Sequence, residues 1–108
     1  MDTSKHTTPK LTIIIPAFNE AQGLKSVLES LRTPDFDFVQ EIIVVDDGSS
    51  DETAEVAQAV GVRVIRHYQN MGYGAALKTG FTAATYEWLP KQGHAQGHIY
   101  YVLHRFIR

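Results

Sequence analysis

The chain has 108 residues, 44% of them hydrophobic and 20% charged, the length and composition of one ordinary globular domain, which excludes a second. Ten Lys plus Arg against twelve Asp plus Glu give a formal charge of -2, so no basic field points to nucleic acid or an anionic membrane, and the expected partner is small. Cysteine is absent, which removes disulfides, thiol nucleophiles and zinc-thiolate sites and favours a cytoplasmic setting.

Residues 1–9 are polar and read as a disordered leader, and no apolar run approaches the roughly 20 residues that span a bilayer. Leu11–Ile15 is a β-branched run ended by Pro16, which suits a strand buried on both faces. Asn19 is the expected N-cap of a helix with Glu20 in its first turn. Ala21, Leu24, Val27, Leu28 and Leu31 recur at helical spacing as far as about Arg32. A turn over 33–37 leads to a second buried strand, Ile42–Val45, which stops at Asp46-Asp47-Gly48-Ser49. Ser49 and Glu52 form a capping-box pair for a short helix lined by Ala54, Val56, Ala57 and Val60 and closed by Gly61. Val62, Val64 and Ile65 make strand three. After the loop Asn70–Gly74, a helical pattern at Leu77, Phe81, Ala84 and Trp88 stops before Pro90.

The order βαβαβα with short connections predicts an α/β fold, a Rossmann-like parallel sheet with helices on its faces. Residues 10–88 form that domain and 89–108 an atypical tail. No carboxylate follows Glu87, whereas three of the five histidines, His94, His98 and His104, do. Ile99–Leu103 suits either a fourth strand or a short helix. Without a fourth strand, the first would be a bare hydrophobic edge, and a homo-oligomer through that edge is expected.

Ligands of such sheets sit beyond the carboxyl ends of the strands, where 16–20, 46–51 and 70–74 all fall. Asp46 and Asp47 are adjacent carboxylates at a buried strand end and point to opposite faces. One can anchor its loop through backbone N–H groups while the other accepts from a base or ribose in the crevice. The plainer alternative is a turn whose Asp and Ser residues cap the next helix. Phe18 offers a face to a flat ring and Glu20 a carboxylate to hydroxyls, although for this segment in isolation the better reading is Asn19 capping, Glu20 complementing the helix dipole and Phe18 packed. Gly72-Tyr73-Gly74 opens a helix whose N–H groups can hold phosphate, with Lys78 a turn further on as counter-charge. The glycines follow strand three and Leu77 takes the last glycine position, so this is not the dinucleotide fingerprint. The tail histidines lack nearby carboxylates or thiols and read as a solvated loop.

The segments Ile13–Glu20, Glu41–Thr53 and Asn70–Phe81, in this order and spacing, resemble family 2 of the inverting glycosyltransferases. The likeness is nearest to polyprenyl-phosphate sugar transferases and extends over about residues 10–86. It implies the nucleotide-binding half of a GT-A fold, which takes a UDP- or GDP-sugar and passes the sugar to a lipid phosphate or saccharide. On that resemblance Pro16, Ala17 and Phe18 border the base. Glu20 and Asp47, with Asp46 beside it, contact base or ribose, and Gly72, Gly74 and Lys78 lie near the nucleotide.

The family places a D-x-D motif for Mg²⁺ or Mn²⁺ after its fourth strand and an acceptor base later. If Tyr101–Leu103 stands for that strand, His104 and Phe106 occupy the carboxylate positions, and neither suits a hard cation. This chain therefore reads as a truncated member with no metal site, no cofactor of its own and no assignable catalytic residue, and transfer is expected to be very slow. Activity would need a partner chain to supply ligands and base; the alternative is a non-catalytic nucleoside-diphosphate-binding module or self-associating remnant. Membrane association belongs to a full-length member. A phosphoacceptor receiver domain is set aside, since its acidic pair follows strand one.

Overall fold

The computed structural model describes residues 10–92 and 98–103. In chain order it contains β1 (Lys10–Ala17), α1 (Ala21–Leu31), a 3-10 turn (Pro34–Phe36), β2 (Val39–Asp47), α2 (Thr53–Val60), β3 (Arg63–His67), α3 (Tyr73–Gln92) and β4 (His98–Val102). The four strands form one sheet in the order β3-β2-β1-β4, and every pairing is parallel. The α/β architecture expected from the alternation of buried β-branched runs with helical patterns is the one observed.

Strand periodicity divides the core in two. Ile13, Ile15, Ala17, Ile42 and Val44 point to one face and pack with Leu24 and Leu28 of α1 and Ala57 of α2. Ile43 and Val45 point to the other, against Ala76 and Ala84 of α3. Leu24 and Leu28 are fully buried, each contributing about 1.5–3 kcal/mol of hydrophobic stabilisation. α3 comes so close to the sheet that a Cβ at Gly80 would lie 2.5 Å from Ile14 Cγ2. A glycine in mid-helix is the local concession that permits this approach.

Several expectations are corrected. Pro16 lies within β1 rather than ending it. β4 pairs with β1 over Lys10–Ile14, and Leu103 N–H donates to Ile14 O. Pro16, two residues on and facing the same side, lies past that pairing, where its missing N–H breaks no ladder. Pro90 does not stop α3, which continues to Gln92. A proline in the last turn forfeits only one backbone bond there. The tail supplies a strand, not a helix, and the 88–89 boundary falls inside α3. β1 is therefore an interior strand, and the bare edge on which homo-oligomerisation was expected does not exist. Residues 1–9, His94 and His104 lie outside the described residues.

Candidate functional site

The chain steps from β1 to β2 to β3 through α1 and α2 on one face, then crosses back through α3 on the other face to lay β4 against β1. Strand order reverses at β1, and open α/β sheets take ligands in a crevice beyond the carboxyl strand ends at such a reversal. Its rim is built from the segments after β1, β2 and β3.

The first two of these are knitted together. Asn19 adopts a left-handed conformation, φ 53°. Its N–H donates to Ser49 Oγ at 2.9 Å, and its Oδ1 accepts from Ser50 N–H at 2.8 Å and Asp51 N–H at 3.3 Å. Glu20 N–H donates to Thr53 Oγ1 at 3.1 Å. Asp51 accepts from Ala21 N–H at 3.3 Å and from Thr53 N–H at 2.9 Å, and the Thr53 hydroxyl also donates to it. Asp51 thus caps the first residue of α1 and of α2 together. The expected local caps, Asn19 for α1 and the Ser49–Glu52 box for α2, are not formed; the actual N-cap positions, Glu20 and Glu52, make no side-chain cap bond. At α1 the partners lie about thirty residues away in the chain, where capping rules assume two or three; at α2 the cap is local, but it comes from Asp51 and not from the Ser49–Glu52 box.

Asp46 and Asp47 point to opposite faces as expected, but both are anchors. Asp46 is fully buried; its Oδ1 accepts from Ser49 N–H at 3.1 Å. Its Oδ2 makes no hydrogen bond and lies 3.4 Å from Arg66 Nε, while Arg66 Nη1 pairs with Glu55 at 3.3 Å. Asp47, 5% exposed, is surrounded by donors. Oδ1 accepts from Met71 N–H at 2.9 Å and His67 Nδ1 at 2.8 Å, and Oδ2 from Gly72 N–H at 2.9 Å and Asn70 Nδ2 at 3.2 Å. Burial opposes its charge, yet the hydrogen bonds from His67, Met71 and Gly72 outweigh that and hold the carboxyl below its ordinary value. Asp51, although exposed, is likewise lowered: its slight desolvation is overcome by hydrogen bonds from Thr53 and Ala21.

The carboxylate also sits at the positive end of α3. The amide of Gly72, expected to face a phosphate, donates to Asp47 instead, and the carboxylate occupies the place an anion would take. Gly48 allows this closure: it has φ 77°, and a Cβ there would lie 2.3 Å from the Gln69 carbonyl carbon.

Of the other expected site residues, Pro16 and Ala17 are buried at the end of β1, and Ala17 pairs in register with Asp46. Phe18 and Glu20 are partly exposed on the rim beside them. Gly74 is exposed in the first turn of α3. Lys78 does not join the group, because Ala76, Gly80 and Ala84 face the sheet and Lys78 projects from the opposite side of α3. His67 was missed. As the last residue of β3 it lies at a carboxyl strand end, a positional signal that the tail histidines obscured. A cavity of about 650 Å³ opens at the other end of the sheet, lined by Arg32, Phe36, Glu41, Gly61 and Arg63, away from the rim.

Among the described residues no three His, Asp or Glu side chains converge as a metal would require. Asp46, Asp47 and Asp51 already accept N–H donors, and Asp46 faces Arg66, so these three do not fit Mg²⁺ or Mn²⁺. Among the described residues, too, no helix is long and apolar enough to cross a membrane.

Comparison with known proteins shows the family. The profile of glycosyl transferase family 2 matches residues 12–89. The human dolichyl-phosphate beta-glucosyltransferase is 39% identical over 87 residues, covering 68% of this chain and 27% of the relative. An undecaprenyl-phosphate 4-deoxy-4-formamido-L-arabinose transferase of Sodalis glossinidius is 35% identical over 91 residues, 73% of this chain and 28% of the relative. The crystal structure of glucosyl-3-phosphoglycerate synthase from Mycobacterium tuberculosis with Mn²⁺, UDP and glucosyl-3-phosphoglycerate superposes with a TM-score of 0.60. It shares 35% identity over 69% of this chain and 29% of that one. The chain thus spans less than a third of the length of these relatives.

Proposed function

The chain belongs to glycosyl transferase family 2, and from that premise we propose that it is the donor-binding part of a sugar transferase and holds the nucleoside diphosphate of a UDP- or GDP-sugar. The observation that carries the reading is the topological reversal at β1, at whose carboxyl end Pro16 and Ala17 close the strand and Phe18 follows. Phe18 supplies an apolar face for the base, and the partly exposed Glu20 beside it an acceptor for ribose hydroxyls. The synthase that superposes on this chain was solved with UDP, which favours a uridine nucleotide. The dolichyl- and undecaprenyl-phosphate transferases favour a phosphate-bearing lipid as acceptor.

The synthase also contains Mn²⁺. In a family member such an ion would neutralise the departing diphosphate, but Asp46, Asp47 and Asp51 of this chain do not fit it. Engagement of Asp46, Asp47 and Asp51 in holding the rim favours nucleotide binding without transfer as the property of these residues. Calorimetric titration of the full chain with UDP and GDP, with and without Mn²⁺, is the test. Binding of UDP that Phe18→Ala weakens and Mn²⁺ leaves unchanged is expected. Absence of binding by either nucleotide overturns the reading, and strong enhancement by Mn²⁺ overturns the assignment of the carboxylates.

A further inference from the structure

His67 is nine-tenths buried and joins two elements through one ring. Nδ1 lies 2.8 Å from Asp47 Oδ1 and Nε2 lies 2.8 Å from Thr79 Oγ1 on α3. An ionised carboxylate has no proton to give, so Nδ1 carries the hydrogen and donates it. In the neutral ring Nε2 then accepts from the Thr79 hydroxyl, which sets the tautomer. Asp47 Oδ1 is shared between His67 and Met71 N–H, while Oδ2 takes Gly72 N–H. The ring therefore fixes how the carboxylate is turned, and the carboxylate fixes where α3 begins.

We propose that His67 is a positioning residue for the nucleotide site: acting through Asp47, and braced by Thr79, it holds the 70–72 loop and the start of α3 against the carboxyl ends of the sheet. The inference rests on the reading above and deepens it. The effect of His67 reaches the nucleotide only through the orientation of the Asp47 carboxylate and the loop that the carboxylate holds.

Side-chain amides separate the two contacts. His67→Asn places an amide nitrogen near the position of Nδ1, keeping the donor to Asp47 and losing Thr79. His67→Gln reaches the position of Nε2, keeping Thr79 and losing Asp47. His67→Ala loses both. The experiment combines a long-range ¹H–¹⁵N spectrum of the histidine rings in the full chain, amide spectra of the three variants, and UDP titrations of each. The expected results are an Nδ1–H tautomer at His67, and Met71 and Gly72 amide resonances displaced in His67→Gln and His67→Ala but restored in His67→Asn. The Kd for UDP should rise about tenfold or more in the first two and return to within about threefold in His67→Asn. An Nε2–H tautomer, or equal effects of Asn and Gln, overturns the proposal. If the wild-type chain binds neither UDP nor GDP, the functional reading fails by itself, and the tautomer and amide resonances still decide whether His67 positions the loop through Asp47.

Discussion

Replacing Asp47 by asparagine changes almost nothing in volume and tests whether this carboxylate is a clamp. Met71 N–H donates to one oxygen and Gly72 N–H to the other. Whichever way the asparagine amide turns, its NH2 group faces one of those two N–H groups. Asn70 can turn its own amide to adapt, but a backbone N–H cannot. The variant loses one charge-assisted hydrogen bond and leaves a part-buried donor unsatisfied, which together cost about 2–4 kcal/mol. Removal of the negative charge from the start of α3 adds roughly 0.3–1 kcal/mol. Against a total stability of about 5–15 kcal/mol this is a large fraction. Urea unfolding should show a midpoint lowered by roughly 1–3 M, and hydrogen exchange should show lost protection at Met71 and Gly72. The loss should appear without any nucleotide present, since the clamp is intramolecular. A variant within about 0.5 kcal/mol of wild type, with both amides as protected as before, would refute the reasoning.

Acidification should act on the same groups. Asp47 and Asp51 are held below their ordinary value in the fold, so the stability they contribute is present above the unfolded carboxyl pKa of about 3.9 and lost as pH falls through the lower folded values. Urea midpoints measured from pH 7 downward should fall through that window, with a shallower fall in Asp47→Asn; identical profiles would count against the assignment. Two glycines of α3 should respond in opposite directions to alanine. Gly74 has open space around a new Cβ, so Gly74→Ala should stabilise by up to about 1 kcal/mol, while Gly80→Ala drives its methyl into Ile14 and should destabilise by about 1–3 kcal/mol despite better helix propensity. Thermal or urea unfolding of the pair decides this, and a stabilised Gly80→Ala would contradict the close approach of α3. Gly48→Ala should unfold the rim or the whole domain, because the new Cβ meets the Gln69 and Asn70 backbone and the residue sits at φ 77°; a native-like circular dichroism spectrum and melting temperature would contradict it.

The fold class, the order of the first six elements and the rim proposed to carry the site were legible in the chain. Ile13–Ile15 and Ile42–Val45 are apolar on both faces, and a strand buried on both faces has to be covered by helices on each side. The 3.6-residue spacing of Leu24, Leu28 and Leu31 supplies one of those covers, and short connections leave a parallel arrangement as the only economical one. Composition along the chain also placed the acidic residues of the rim at the ends of strands, where such sheets carry their ligands.

What the carboxylates do there was a tertiary matter. Sequence patterning describes partners a few residues apart, and the bonds that define the rim join Asn19 to Ser50, Asp51 to Ala21 and Asp47 to Gly72. Asp46 and Asp47 had to alternate, because the strand repeats every two residues. Only the packing of the 69–72 loop over Gly48 decided that Asp47 would be enclosed by N–H donors instead of facing open crevice. The fate of 98–103 was likewise undecided, since a short apolar run has no periodicity of its own to prefer strand over helix. The free edge of β1 settled it by offering backbone partners, and residues 98–102 satisfied that edge as β4. Local chemistry determined which elements form and which residues reach the rim; contacts between distant parts of the chain decided which of those residues remain available to a ligand.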